Sequence, residues 1–289
     1  MGNTLWNNVK TVMLLSVLTG VVLAGGYAIG GQTGVVIALV VAAAMNFASF
    51  FFSDKIALAS MQAQEVGPDH ELYKIVEPMA QRAGLPMPRV YISPQPAPNA
   101  FATGRGPNHS AVCATEGLLQ TLSRQEVAGV MAHELAHVKH RDILITTVAA
   151  TIGGAISFLG NMFMFNSMFG GGHHNEEEEG GSPLGAIGGL LLMILGPIAA
   201  GVIQMAISRQ REYAADTEGA RLSGDPMHLA SALHKIHHMN DRIPMDVNPA
   251  FNALMIAEPR SISERMSNLF STHPPLEKRM MNLIGRPHL

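Results

Sequence analysis

The chain has 289 residues, of which 47% are hydrophobic and only 14% are Asp, Glu, Lys or Arg, against about 25% charged in ordinary soluble proteins. Charge this scarce must be concentrated in part of the chain, which is the composition of a membrane protein and excludes a wholly soluble one. A net charge of −3 leaves no basic excess to hold nucleic acid, and the single cysteine, Cys113, excludes a disulfide framework and any multi-cysteine metal site.

Four uncharged apolar runs, 11–30, 35–52, 143–165 and 184–207, are long enough to cross a bilayer as helices of about 20 residues. The first resembles a cleavable leader, but its length and the second run close behind it argue for a retained span. Eight Lys and Arg lie from Lys55 to Arg141 and ten from Arg209 to Arg286, whereas residues 142–208 have none. The positive-inside bias therefore places 53–142, 208–289 and the N-terminus in the cytoplasm, and the Gly/Glu loop 169–183 outside. The expected organisation is two transmembrane helices in 1–52, the first half of a cytoplasmic domain in 53–142, a transmembrane hairpin in 143–207 and the second half in 208–289. Within the hairpin, His173 and His174 before four Glu read as a solvated tip, and Gly185 and Gly189 as a weak helix-packing pair.

In the cytoplasmic part a helix is predicted over 71–83, stopping at Gly84. Strands follow over 89–93, 99–103 and 110–115, separated by Pro and Gly. Ser123 with Glu126 makes a capping box that opens a helix near Arg124. Later helices open at Pro226, running to about Met239, and after Pro275, ending near Gly285. Neither 130–151 nor 202–218 contains Gly or Pro. The helix from Arg124 is thus expected to run unbroken into the third apolar run, and the fourth run unbroken into the helix bearing Glu212. On that geometry the ligands of both helices stand roughly 10 Å beyond the hydrocarbon boundary. The expected class is mainly α with a small β-sheet.

The capped helix contains His133-Glu134-Leu135-Ala136-His137. Residues four apart lie one turn above each other, so both imidazoles can reach one ion while Glu134 holds a water. A catalytic zinc site takes three protein ligands. His140 stands two turns from His133 and cannot converge with both histidines on a straight helix. Glu212-Tyr213-Ala214-Ala215-Asp216 offers two carboxylates on one helix face, one to ligate and one to accept the N–H of a ligating histidine.

These two motifs, the run Pro98-Asn99-Ala100-Phe101-Ala102-Thr103-Gly104 and Ser271-Thr272-His273-Pro274-Pro275 together resemble the HtpX family of bacterial membrane-bound zinc metalloproteases, relatives of the CAAX prenyl proteases. The resemblance spans nearly the whole chain. It implies a gluzincin fold split by transmembrane helices, an inner-membrane location, one zinc per chain, and degradation of misfolded or surplus membrane proteins under stress. By motif match it makes His133, His137 and Glu212 the zinc ligands, Glu134 the catalytic base and Asp216 the carboxylate partner of a ligating histidine. It implies nothing about the outer loop.

Chemistry asks for two further parts. A tetrahedral oxyanion needs a donor, for which His273 is the first expectation and Tyr213 the second. An extended substrate needs main-chain partners, which Asn99, Ala100, Phe101, Ala102 and Thr103 would provide as an edge strand, the alternative being a buried strand that only supports the sheet. His234, His237 and His238, on one amphipathic helix, read as solvated. Two other classes compete. A metal transporter is disfavoured because no apolar run holds an Asp, Glu, His, Lys or Arg such as transport sites use; a catalytically silent zinc-containing scaffold has no need of Glu134.

Overall fold

The computed structural model describes residues 2–153, 209–240, 242–243, 245, 251, 254–257 and 273–289. The third apolar run beyond Gly153, the fourth run, the 169–183 loop and the Gly185/Gly189 pair lie outside the described residues.

Helix α1, Gly2–Phe51, is two arms: Gly30 and Gly31 leave helical geometry, with φ +56° at Gly31, and the chain folds back. Close approach of the arms depends on Gly26 and Gly34, since a Cβ on Gly34 would lie 2.0 Å from the Gly26 carbonyl oxygen. Asn46 Nδ2 donates to Thr19 Oγ1 across the hairpin at 2.8 Å. Both N-terminal runs are therefore helical. Residues Gly30–Ser60 form one helix long and apolar enough to cross a membrane, with mean hydropathy 2.4, while Val9–Gly20 and Ile143–Gly153 are shorter apolar helices.

The domain that follows comprises α2 (Ser53–Ser60), β1 (Gln64–Val66), α3 (Glu71–Ala83), β2 (Arg89–Ser93), β3 (Ala100–Gly106), β4 (His109–Thr115), α4 (Glu116–Thr121) and α5 (Arg124–His140). Then come α6 (Ile143–Gly153, as far as described), α7 (Arg209–Ser223), α8 (Pro226–Asn240) and α9 (Leu276–Ile284). The sheet runs β1-β2-β4-β3, parallel between β2 and β4 and antiparallel elsewhere, so β3 is an edge. The three-residue β1 carries no sequence signal strong enough to predict it.

Helix α5 is the hub. Its Val127, Val130, Met131, Leu135 and Val138 share one core with Leu72, Val76 and Met79 of α3, Val112 of β4 and Leu229, Leu233 and Ile236 of α8. The capping box forms as expected: Ser123 accepts from the Glu126 N–H, and Glu126 accepts from the Ser123 N–H at 2.7 Å. Glycines set the two tight approaches. A Cβ on Gly129 would stand 2.7 Å from Leu229 N, and one on Gly219 would stand 2.9 Å from the backbone of His133.

The expectation that α5 continues into the third apolar run is overturned. The helix stops at His140, because Arg141 adopts φ +60° and its N–H returns to the His137 and Val138 carbonyls. Asp142 then starts α6, its carbonyl accepting from the Thr146 N–H at 3.3 Å and from Thr146 Oγ1 at 3.1 Å. A left-handed cap on an arginine has no glycine to announce it.

Candidate metal centre

Three helices deliver the site. The capped α5 carries His133, Glu134 and His137; α7 carries Glu212, Asp216 and Gly219 as one stripe, and Gly219 is what lets that stripe lie against His133. His273 enters just ahead of α9. With Ala102, Ile143, Thr146 and residues Leu254, Met255 and Ile256, these side chains close on a cavity of about 30 Å³, room for a water or two and not for a peptide.

His133 Nε2 and His137 Nε2 face each other at 3.2 Å. Glu212 Oε1 stands 3.5 Å from His137 Nε2, and Glu212 Oε2 3.8 Å from His133 Nε2. The three ligand atoms lie within 4.8 Å of one another, and among the described residues no other His, Cys, Asp and Glu group of three does so. Glu212 Oε2 is buried with no hydrogen-bond partner. An orphaned carboxylate oxygen beside two imidazole nitrogens fits a divalent cation, since a buried charge must be paired or bound to metal. The separation of the two nitrogens also suits it: two Zn–N bonds of ~2.05 Å meeting at a tetrahedral angle span about 3.3 Å.

The surroundings orient the ligands. Asp216 Oδ1 is 3.0 Å from His133 Nδ1, and Asp142 Oδ2 is 3.3 Å from His137 Nδ1. Each imidazole is thus backed by a carboxylate on the nitrogen away from the cavity, which sets its tautomer. Arg279 of α9, itself buried, donates to both oxygens of Asp216, from Nε at 3.0 Å and Nη2 at 2.6 Å, and to the Ile256 carbonyl from Nη1 at 3.0 Å. Arg211 Nη1 reaches Asp142 Oδ1 at 3.4 Å, and Lys10 of α1 lies within electrostatic reach of both. Asp142 and Arg279 were not foreseen. Arg279 lies 63 residues from Asp216 in sequence, and Asp142 follows a turn that no Gly or Pro marks.

Burial and neighbouring charge together set the protonation states. Burial pushes His133 down to about 4 despite Asp216, leaving a neutral imidazole at pH 7. Burial also lifts Glu134 to about 7, against the pull of His137 and a hydrogen bond to the Ala102 backbone. For His137 burial is outweighed by Glu212, Asp142 and Glu134, which hold it up at about 9. Around His137, then, carboxylates exceed cations, an excess that a bound divalent ion would neutralise.

His273 lines the cavity, its Nε2 3.4 Å from Glu212 Oε2. Tyr213 does not; its main-chain carbonyl accepts from Asn282 Nδ2 at 3.2 Å. His140 stays outside the ligand group, and His234 and His238 meet edge to face on α8, 4.4 Å between centroids. Along β3, Ala100 and Ala102 face the α5 core, while Phe101 faces Cys113 and Ala150. The free side of β3 is met at Ala100 by the chain's own residues: the Ile256 N–H donates to the Ala100 carbonyl at 2.9 Å, and Asn99 Nδ2 to the Ala257 carbonyl at 2.8 Å. Thr103 bonds Thr147 of α6 through the hydroxyls at 3.1 Å.

Comparison with known proteins agrees with this chemistry. The model of peptidase family M48 matches residues 66–286. The chain is 52% identical to a protease HtpX homolog of Desulfatibacillum aliphaticivorans over 96% of this chain and 89% of that protein. It is 51% identical to one of Desulforapulum autotrophicum, again over 96% and 89%. A crystal structure of S. mikatae Ste24p superposes with a TM-score of 0.48 at 19% identity, covering 98% of this chain and 66% of that one.

Proposed function

The chain belongs to the HtpX branch of peptidase family M48, a membrane-associated protease, and we propose that it is a zinc endopeptidase that cuts misfolded or surplus membrane proteins in their cytoplasmic regions. The observation that carries this reading is the buried Glu212 carboxylate facing the Nε2 atoms of His133 and His137 in the cavity that also holds Glu134.

A zinc ion held by His133, His137 and Glu212 would supply a Lewis acid for the scissile carbonyl and a water acidic enough to attack near pH 7. Glu134, outside the ligand set, would accept a proton from the attacking water and return it to the leaving amine. Cationic charge brought to the cluster lowers Glu134 from about 7 toward the ionised form that accepts a proton. His273 donates to the developing oxyanion from across the cavity. Asp216 and Asp142 keep the unused nitrogens of His133 and His137 protonated. An extended substrate pairs with β3 by main-chain hydrogen bonds, taking the place that residues 254–257 hold at Ala100.

The apolar helix in the cavity wall supports the substrate class. Ile143 and Thr146, the first turn of the apolar α6, form part of its wall, so the reacting groups lie at the level where α6 begins rather than a further ~10 Å out. Lys10 near Asp142, and Phe51 with the Arg105 guanidinium 5.0 Å from its ring centroid, tie both ends of the α1 hairpin to the domain. That supports a domain and N-terminus on one side, the cytoplasmic side by the charge bias, in the bacterial inner membrane. A silent scaffold is not favoured, because Glu134 is in place.

The test is purified protein in detergent, loaded with zinc and given a membrane-protein substrate, compared with Glu134→Gln. The variant should keep about one zinc and lose at least 10²-fold in activity. A variant that loses its zinc, or cuts at the parental rate, removes Glu134 from the role.

A further inference from the structure

The end of the second α1 arm carries an aromatic cluster: Phe47 and Phe51 have ring centroids 4.5 Å apart, Phe50 and Phe51 5.1 Å, and Phe47 and Phe52 6.0 Å. Phe47, Phe51, Phe52 and the neighbouring Ile56 are exposed. Two cations sit on these rings, the Arg105 guanidinium 5.0 Å from the Phe51 centroid and Lys55 Nζ 5.4 Å from that of Phe52. No carboxylate among the described residues pairs with either. The neighbouring Arg89, by contrast, is paired with Asp54 at 2.9 Å.

Arg105 is aimed there by the backbone. In the β3–β4 ladder Gly104 pairs with Ser110 and Gly106 with His109, so Arg105 is the extra residue of a bulge. Bulges re-aim a side chain away from its ladder position. Only glycine tolerates the flanking conformations, φ +134° at Gly104 and +150° at Gly106. The bulge also lies deep: Thr103, two residues earlier, already bonds Thr147 inside α6. A glycine-flanked bulge that sends a cation to an aromatic ring at the end of a membrane-crossing helix is a device for the bilayer surface, where aromatic rings and cationic side chains meet headgroups.

We propose that Arg105, with Lys55 beside it, binds the phosphate of an acidic phospholipid in the leaflet on the domain side. The guanidinium offers paired donors to phosphate oxygens while its face stays on Phe51. The acyl chains then run along the exposed apolar face of the second arm, at Leu39, Val40 and Phe47. This binding does not depend on the proposed hydrolytic chemistry.

The probe is phosphatidylglycerol against phosphatidylcholine. Full-length protein is reconstituted in mixed nanodiscs, released, and its retained lipids are counted by native mass spectrometry. The parent should retain phosphatidylglycerol in preference, by about fivefold for each cation. Arg105→Gln with Lys55→Gln should abolish the preference, and Arg221→Gln, on the exposed face of α7, should keep it. Arg105→Lys, which keeps the charge and loses the planar fork, should keep part of it and guards against misfolding of the double variant. Equal retention of the two lipids by the parent, or an undiminished preference in the double variant, would overturn the proposal. So would complete displacement of the lipid by inorganic phosphate, which would mark a free-anion site instead.

Discussion

Asp142 and Asp216 do the same work on different histidines, so their neutral isosteres should act alike. Asp142→Asn and Asp216→Asn should each weaken zinc binding by about 10- to 100-fold, measured by competition with a chromophoric chelator. Glu212→Ala should lose zinc outright. Tight zinc in Glu212→Ala would transfer ligand status to another carboxylate. A second residue-scale prediction concerns Glu126. Burial alone would raise its pKa, but hydrogen bonds from Lys235, Ser231 and Ser123 more than offset this and hold it down at about 2. A depressed carboxylate contributes stability that is fully present above its unfolded value of 4.5 and is lost as pH falls toward 2. Glu126→Gln should therefore lower the thermal midpoint at pH 7 and flatten the acid dependence between those values; an unchanged acid limb would show that the α5–α8 contact contributes nothing. Much of this chemistry was legible from spacing alone, because H-E-x-x-H and E-x-x-x-D are local on their helices. Arg279 was not, since a basic residue beside Lys278 in an amphipathic helix looks like any solvated one until Asp216 is found opposite it.

At the scale of elements, two glycines hold the helices at working distance, and they separate metal binding from folding. Gly219→Ala should push α7 away from His133 and lower zinc affinity at least tenfold, with every ligand intact, because the new Cβ would meet the His133 backbone at 2.9 Å. Gly129→Ala should instead loosen α5 from α8, lowering the thermal midpoint more than the zinc affinity. Equal effects of the two changes on both readouts would contradict the assignment. Helix ends were well predicted wherever chemistry marks them: Gly84 and Gly285 both adopt left-handed φ after α3 and α9. The break after His140 was hidden because an arginine takes the left-handed position, and β1 because three residues make no period. That break matters for function. It frees Asp142 to back His137 and lets α6 set out in a new direction, with Thr146 still in the cavity wall.

For the whole molecule, composition points to a membrane protein, and the α1 hairpin shows why its ends return to the domain: one meets Asp142 and Arg211, the other the sheet. How the domain's two halves meet could not be read from sequence, because the contacts of α5 with α7 and α8 are long-range and rest on small residues. A zinc-dependent peptidase acting at the membrane face on which its domain sits leaves its record in where it cuts. Cuts in a multi-spanning substrate, reconstituted in one known orientation with the zinc-loaded enzyme and with Glu134→Gln as blank, are mapped by mass spectrometry. They should cluster in cytoplasmic loops close to the substrate's spans, with none in the blank. Cuts confined to the opposite face, or persisting in the blank, would contradict that reading.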